Sequence, residues 1–292
     1  MRDYIIMTDS CCDLGQQEVE ELDLTVLPLS FTIEGKTLLN TPDHADMSPE
    51  EFFAKIAAGA DCTTAAVNVG QFTDAMEKVL QEGKDILCVC FSSALSTTYQ
   101  SACIAAEDLR EKYPEAKILV IDSLSASRGQ GMLLYRAVRE RREKNLTIDE
   151  LDAYVRSIIQ SQCHWFIVDD LNHLKRGGRV SSTAALVGTM LGIKPVMHTD
   201  SEGRLTPVSK ARGTKAALRA LVDKVGEIGV EPEKNQPMLI CHANCPESVE
   251  YVKGLLKERF GVTDVRDDFI GPVIGAHTGC GTLGLFFVGT ER

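Results

Sequence analysis

The chain has 292 residues, 44% of them hydrophobic, which corresponds to about two average domains with packed cores and excludes disordered and fibrous classes. Its 31 basic and 42 acidic residues give a net charge of −11, which argues against a surface that binds nucleic acid all over. The longest apolar runs, such as Ile86 to Phe91, fall far short of the roughly 20 residues that a membrane-spanning helix needs, so no integral membrane segment is expected.

The opening MRDYIIMTDS meets acidic residues before any long apolar stretch can form. It therefore reads as a first strand and not a secretory leader, and predicts a cytoplasmic protein. The ten cysteines then sit in a reducing compartment, and free thiols are expected instead of a disulfide framework. Cys241-His242-x-x-Cys245 lacks the paired spacing of a structural zinc site, so no metal is expected.

In chain order, apolar runs beginning at Asp3, Asp85 and Lys117 alternate with polar turns and helical patterns, as parallel strands with crossover helices do. Within ILCVCF, Cys88 and Cys90 alternate and belong on one buried face. Ser48-Pro49-Glu50-Glu51 combines an N-cap, a proline at the first helical position and a glutamate three residues after the cap, predicting a helix from Pro49 to about Ala58. Thr147-Ile148-Asp149-Glu150 repeats the capping box and opens a helix to about Ser161, the candidate bridge between domains. Beyond it, strand-like runs from Cys163 and Lys194, a Ser201-Glu202-Gly203 turn, a helix from Thr214 and the strand MLICHA predict mixed packing. The expected fold is α/β with two domains, a largely parallel sheet in 1–161 and a mixed α+β layer in 162–292, clasping a ligand in the cleft between them.

Ligands of open parallel sheets gather beyond the carboxyl ends of the strands. Three strands here end in hydroxyl-bearing segments: Thr8-Asp9-Ser10, the run Ser92-Ser93 to Tyr99, and Asp122-Ser123. Asp9 and Asp122 read most simply as caps. Ser92-Ser93 opens a segment with more hydroxyls than a cap needs, which suits a carboxylate or phosphate. Thr63-Thr64, between two expected helices, can bring a hydroxyl to the same end. His277 stands among glycines that let backbone approach a ligand, although a lone histidine is more often structural. Gly279-x-Gly281-x-x-Gly284 imitates a dinucleotide fingerprint but is followed by LFFV where a helix is required.

From Lys175 to Arg219 the chain carries nine basic and two acidic residues, a local reversal of its overall charge. Without interleaved aromatics to stack bases, the window suggests an anion or protein partner, not nucleic acid.

Taken together, TDSCCDL, SSALSTTYQSA, IDSLSASRGQG, DDLNHLKRGGRVS, GIKPV and IGPVIGAHTGCG, in that order over the whole chain, resemble the DegV family. Its members are the fatty-acid-binding subunits of bacterial fatty acid kinases. The resemblance implies two α/β domains holding one fatty acid, which a separate ATP-dependent kinase phosphorylates to an acyl phosphate. No catalysis by the chain itself and no cofactor are implied. Carried over by position, the carboxylate ligands are Thr64, Ser93 and His277 with Ser92 adjacent, and Arg176, Arg179 and Arg212 engage the kinase. The sequence departs from the family pattern at Ala65 to Asn68, where a hydroxyl and a proline are lost, and at Thr97 and Cys280, which replace a usual glycine and proline. The alternative is a serine esterase or acyl-transfer enzyme with Ser93 as nucleophile, His277 as base and Asp9 or Asp122 as orienter, although no G-x-S-x-G elbow occurs.

Overall fold

A computed structural model describes residues 2–180 and 192–292. β1 (Tyr4–Asp9) passes through a 3-10 turn (Ser10–Cys12) to α1 (Gln16–Leu22) and β2 (Leu24–Leu27). β3 (Ser30–Ile33) and β4 (Lys36–Leu39) precede α2 (Pro49–Ala57), β5 (Cys62–Ala65) and α3 (Val69–Gln81). β6 (Asp85–Cys90), α4 (Thr98–Lys112), β7 (Ile118–Asp122), α5 (Arg128–Lys144) and α6 (Ile148–Ile158) follow. The remainder comprises β8 (Gln162–Ile167), α7 (Leu171–Arg176), β9 (Ile193–Thr199), β10 (Leu205–Arg212) and α8 (Thr214–Ile228). It closes with β11 (Met238–His242), α9 (Pro246–Phe260), β12 (Val265–Phe269), α10 (Pro272–Thr278) and β13 (Leu283–Val288).

The first sheet is wholly parallel in the order β2-β1-β6-β7. Every residue of β6 is buried, as expected of a strand covered on both faces, and the sulfurs of Cys88 and Cys90 lie 3.5 Å apart. The second sheet is mixed, in the order β10-β9-β8-β13-β11-β12. This is the two-domain α/β architecture the sequence predicts. Both capping predictions also hold: Ser48 accepts from Glu51 N, and Thr147 and Glu150 cap each other reciprocally.

A third, antiparallel sheet, β4-β3-β5, departs from the expectation. Thr63 and Thr64 do not lie in a connection between helices; they belong to β5, where Thr64 pairs with Phe31. Residues 34 and 35 make the hairpin that permits this, both with positive φ (50° and 75°), a conformation that glutamate advertises poorly.

The helix that joins the two sheets by packing is α5, whereas α6 hands the chain on to β8 through a 3-10 turn, Ile159–Ser161. Leu133, Leu134, Ala137 and Val138 of α5 pack with Ile6, Leu87 and Ile121 of the first sheet. Met132 faces the other way, into a cluster that holds Leu239 and Phe286 of the second sheet. Two close approaches fix this seat, because a Cβ on Gly129 would lie 1.9 Å from the His164 ring and one on Gly131 would lie 2.7 Å from Leu14. Arg128, fully buried, is clamped by both carboxylate oxygens of Glu18, at 2.8 and 2.6 Å. The core therefore runs across both halves, with α10 packed on α2, β3 and β5.

Candidate functional site

β5 and α10 bring two of the expected residues together. Thr64, one position from the end of β5, places its Oγ1 2.8 Å from Nε2 of His277 in the last turn of α10. The opposite edge of the imidazole rests on the backbone of Gly177, where a Cβ would fall 2.2 Å from Nδ1. The KRGGR segment is thus a support for the histidine as well as a charged loop. Gly178 turns it with φ +73°.

Burial, reinforced by the positive charge of Arg179, pushes the His277 pKa down to about 4, so the ring is neutral at neutral pH. A neutral imidazole with its proton on Nε2 donates to Thr64 Oγ1. The Thr64 hydroxyl then has its own proton to give to an acceptor-only group such as a carboxylate.

This pair stands at one end of a cleft of about 460 Å³. Arg179 borders the cleft beside this pair, Ser93 also lines the cleft, and Phe91, Leu95, Leu174 and Val273 supply apolar walls. The cleft continues past Ala126, Leu205 and Ile274 into a smaller cavity of about 50 Å³ bounded by Phe166, Ile270 and Phe286. On the other side of the Thr64–His277 pair lies an outer vestibule of about 510 Å³, with Cys62, His173 and Arg176 on its wall. The polar pair thus separates an apolar interior from a basic entrance.

The expected residues distribute unequally around this site. Ser93 is exposed in the cleft, its backbone N–H held 3.1 Å from Asp122 Oδ1. Ser92 departs from the expectation. It is fully buried, and its hydroxyl donates to the Gly203 carbonyl at 3.0 Å, tying the loop after β6 to the tip of the β9–β10 hairpin. Its backbone points its side chain across the domain junction while Ser93, the next residue, faces the cleft.

Arg179 also departs from its expected place on a partner surface. Its Nε donates to the Leu95 carbonyl at 3.1 Å and its Nη1 to the Gly177 carbonyl, so the guanidinium spans the cleft end. Sequence reasoning missed this role; the signal was the glycine pair before it, which lets the chain fold back. Arg176 stands at the vestibule with Nη2 3.0 Å from His173 Nδ1. Arg212 is exposed at the end of the edge strand β10 and lines neither cavity. The rest of the basic window is dispersed, Lys194 pairing with Asp169 and Arg204 with Glu202.

Asp9 caps the 3-10 turn Ser10–Cys12 as expected, whereas Asp122 caps none of the described helices and braces two loops instead. Asp9 accepts from Cys11 N and Phe91 N, and Asp122 from Ser93 N and Leu124 N. Among the described residues Thr64 is the side chain hydrogen-bonded to His277, so the Ser93–His277–Asp triad of an esterase is not assembled. Among the described residues no three His, Cys, Asp or Glu side chains converge on a metal position, and no helix is long and apolar enough to cross a membrane.

Fold and site together define a two-domain α/β protein with a hydroxyl–imidazole–guanidinium cluster closing an apolar cleft, an arrangement suited to an anion on a long apolar body. The chain belongs to the DegV family: the family model, described as an uncharacterised protein of the DegV family, matches residues 4–290. A DegV domain-containing protein of Clostridium perfringens is 40% identical over 292 residues, covering 100% of this chain and 99% of that one. A Thermus thermophilus DegV family protein described for its fatty acid binding superposes with a TM-score of 0.86 at 29% identity, covering 99% of this chain and 100% of the other. A DegV lipid-binding protein of Thermotoga maritima superposes at 0.83 with 28% identity, covering 99% of each chain.

Proposed function

We propose that this protein binds one long-chain fatty acid, without catalysis of its own, and presents the carboxylate to a separate ATP-dependent kinase in the bacterial cytoplasm for acyl phosphate formation. The observation that carries the reading is the 2.8 Å contact of Thr64 with a neutral His277 at the polar end of an apolar cleft. The relatives described as fatty-acid- and lipid-binding proteins support it.

About fourteen methylenes at roughly 0.8 kcal/mol each set an upper bound near 11 kcal/mol before the costs of binding. Apolar burial therefore supplies most of the affinity. The head group must still be compensated on leaving water. In this reading Thr64 and Ser93 donate to the carboxylate, His277 fixes the Thr64 hydroxyl, and Arg179 supplies the positive charge. Arg176 at the vestibule and Arg212 on the edge strand face the kinase. The outer vestibule gives the phosphoryl donor a route to a carboxylate whose tail remains buried.

Lipid extraction of the purified protein followed by mass spectrometry tests the first part; the expected result is a fatty acid of about 14 to 18 carbons, retained through gel filtration because apolar burial slows release. No lipid, together with no uptake of added palmitate or oleate, overturns it. For the second part, Arg176→Glu with Arg212→Glu is expected to keep palmitate affinity while losing acyl phosphate formation with kinase and ATP. Full turnover by that variant refutes the docking assignment.

A further inference from the structure

A second concavity, sharing no residue with the cleft, lies where the C-terminal half of α5 passes the loop 235–237 and β11 and β12 of the second sheet. It measures about 360 Å³, within the roughly 300–1,000 Å³ of small-molecule sites. Four arginines, Arg136, Arg139, Arg142 and Arg266, converge on it with no lysine among its lining. Two carboxylates, Glu21 and Glu143, also border it, so the rim is net positive in a chain of net charge −11.

Among the described residues these guanidinium groups are held mainly by neutral acceptors. Arg136 donates to Gln162 Oε1 at 2.7 Å, Arg142 to the Glu21 carbonyl at 2.7 Å, and Arg266 to the Tyr135 hydroxyl at 3.0 Å. The nearest carboxylate contacts are long, 4.0 Å from Arg139 to Glu143 and 3.6 Å from Arg266 to Asp264. Among the described residues Arg136 and Arg142 thus have no carboxylate partner within ion-pair distance, and Arg139 and Arg266 have only these loose ones. Arginine forks match phosphate oxygens two at a time. The floor is apolar, formed by Leu22, Met132, Leu239 and Val288, and a bare inorganic ion would leave it unused.

From this juxtaposition we infer that the groove is a binding site for an organic phosphate with an apolar or aromatic body, of the size and charge of a nucleoside diphosphate. Its walls come from both domains. Ala126, two residues before α5, lines the cleft, and Arg136 stands about 12 Å along α5 from its first residue, Arg128. The two sites are thus distinct positions on one rigid element.

The test is isothermal titration of the full chain at low salt with ADP, inorganic pyrophosphate and adenosine. ADP is expected to bind saturably below about 1 mM, with pyrophosphate and adenosine each at least about tenfold weaker, because each carries half of the recognised chemistry. Arg139→Ala with Arg142→Ala is expected to weaken ADP at least about tenfold while leaving melting temperature and palmitate uptake unchanged. If the double variant fails to fold, Arg139→Ala alone, an exposed position, is measured instead. No saturable ADP binding by about 1 mM, unchanged ADP affinity in the variant, or pyrophosphate binding as tightly as ADP overturns the assignment. Palmitate binding in the same samples is read separately, so the outcome does not depend on the fatty acid reading.

Discussion

The imidazole of His277 is packed directly on the backbone of Gly177, with room for no side chain between them. Gly177→Ala is therefore expected to displace the ring from its present position against Thr64 and disrupt the head-group end of the cleft. Overpacking of this kind costs about 1 to 3 kcal/mol, so titration with palmitate should show roughly a tenfold or greater loss of affinity. Parent-like binding would mean that the loop does not set the ring position.

Removing the hydroxyl while keeping the shape separates hydrogen bonding from packing at β5. Thr64→Val should weaken palmitate binding by about 1 to 3 kcal/mol, and Thr64→Ser should restore most of it. Equal affinity of the valine variant and the parent places the carboxylate elsewhere.

The neighbouring serines should fail in different ways. Ser92→Ala leaves the Gly203 carbonyl and the Ala94 N–H short of a partner at the domain junction, so the melting temperature should fall, by about 1 to 3 kcal/mol in stability. Ser93→Ala, at an exposed position, should leave melting unchanged in the unliganded protein and reduce fatty acid affinity. Thermal scans and titrations of both variants check the pair; identical behaviour contradicts it.

His277 also links binding to pH. Unliganded, its pKa is pushed down to about 4 by burial and Arg179, so the ring carries no charge near neutrality. A carboxylate beside Thr64 favours the imidazolium and raises that pKa, so binding takes up protons. Affinity for a soluble acid such as dodecanoate should then rise as pH falls from about 7 toward 5, the range between the usual carboxylate and imidazole values. Calorimetry in two buffers of different ionisation enthalpy near pH 6 should record net proton uptake, about a tenth to one proton per ligand. None in the parent, or equal uptake in His277→Asn, would rule out this linkage.

The buried pair beneath α5 is a stability element. Glu18→Gln strips the carboxylate from a fully buried Arg128 and leaves Asp268, at 3.9 Å, as the remaining acid. A loss of about 3 kcal/mol is expected in urea unfolding, because an uncompensated interior charge is costly. A loss below about 1 kcal/mol would show that Asp268 takes over.

The elements with one dominant signal were legible in the sequence. Thr147 and Glu150 announced their helix, and the continuous apolar run of β6 announced a strand buried on both faces. What escaped depended on distant chain. Nothing near Ser92 reports that Gly203 will dock on it, so its hydroxyl was read with that of Ser93. Arg179 looked like one member of a surface charge cluster because the carbonyl it reaches, Leu95, is 84 residues away. The small sheet was missed because Glu34 takes a left-handed conformation that asparagine or glycine would have signalled.

Thr64 and His277 are separated by 213 residues, and β13 inserts between β8 and β11 near the middle of its sheet. During translation, domains fold from the N-terminal side as they emerge. The parallel sheet can assemble while the remainder is still in the ribosome, but the second sheet has a gap until β13 is released. A nascent chain halted before residue 272 would therefore have half a cleft and no histidine to close it. On the proposed fatty acid reading, lipid capture is acquired late in synthesis, and lipid supplied to stalled ribosome complexes should remain unbound until that stretch is free.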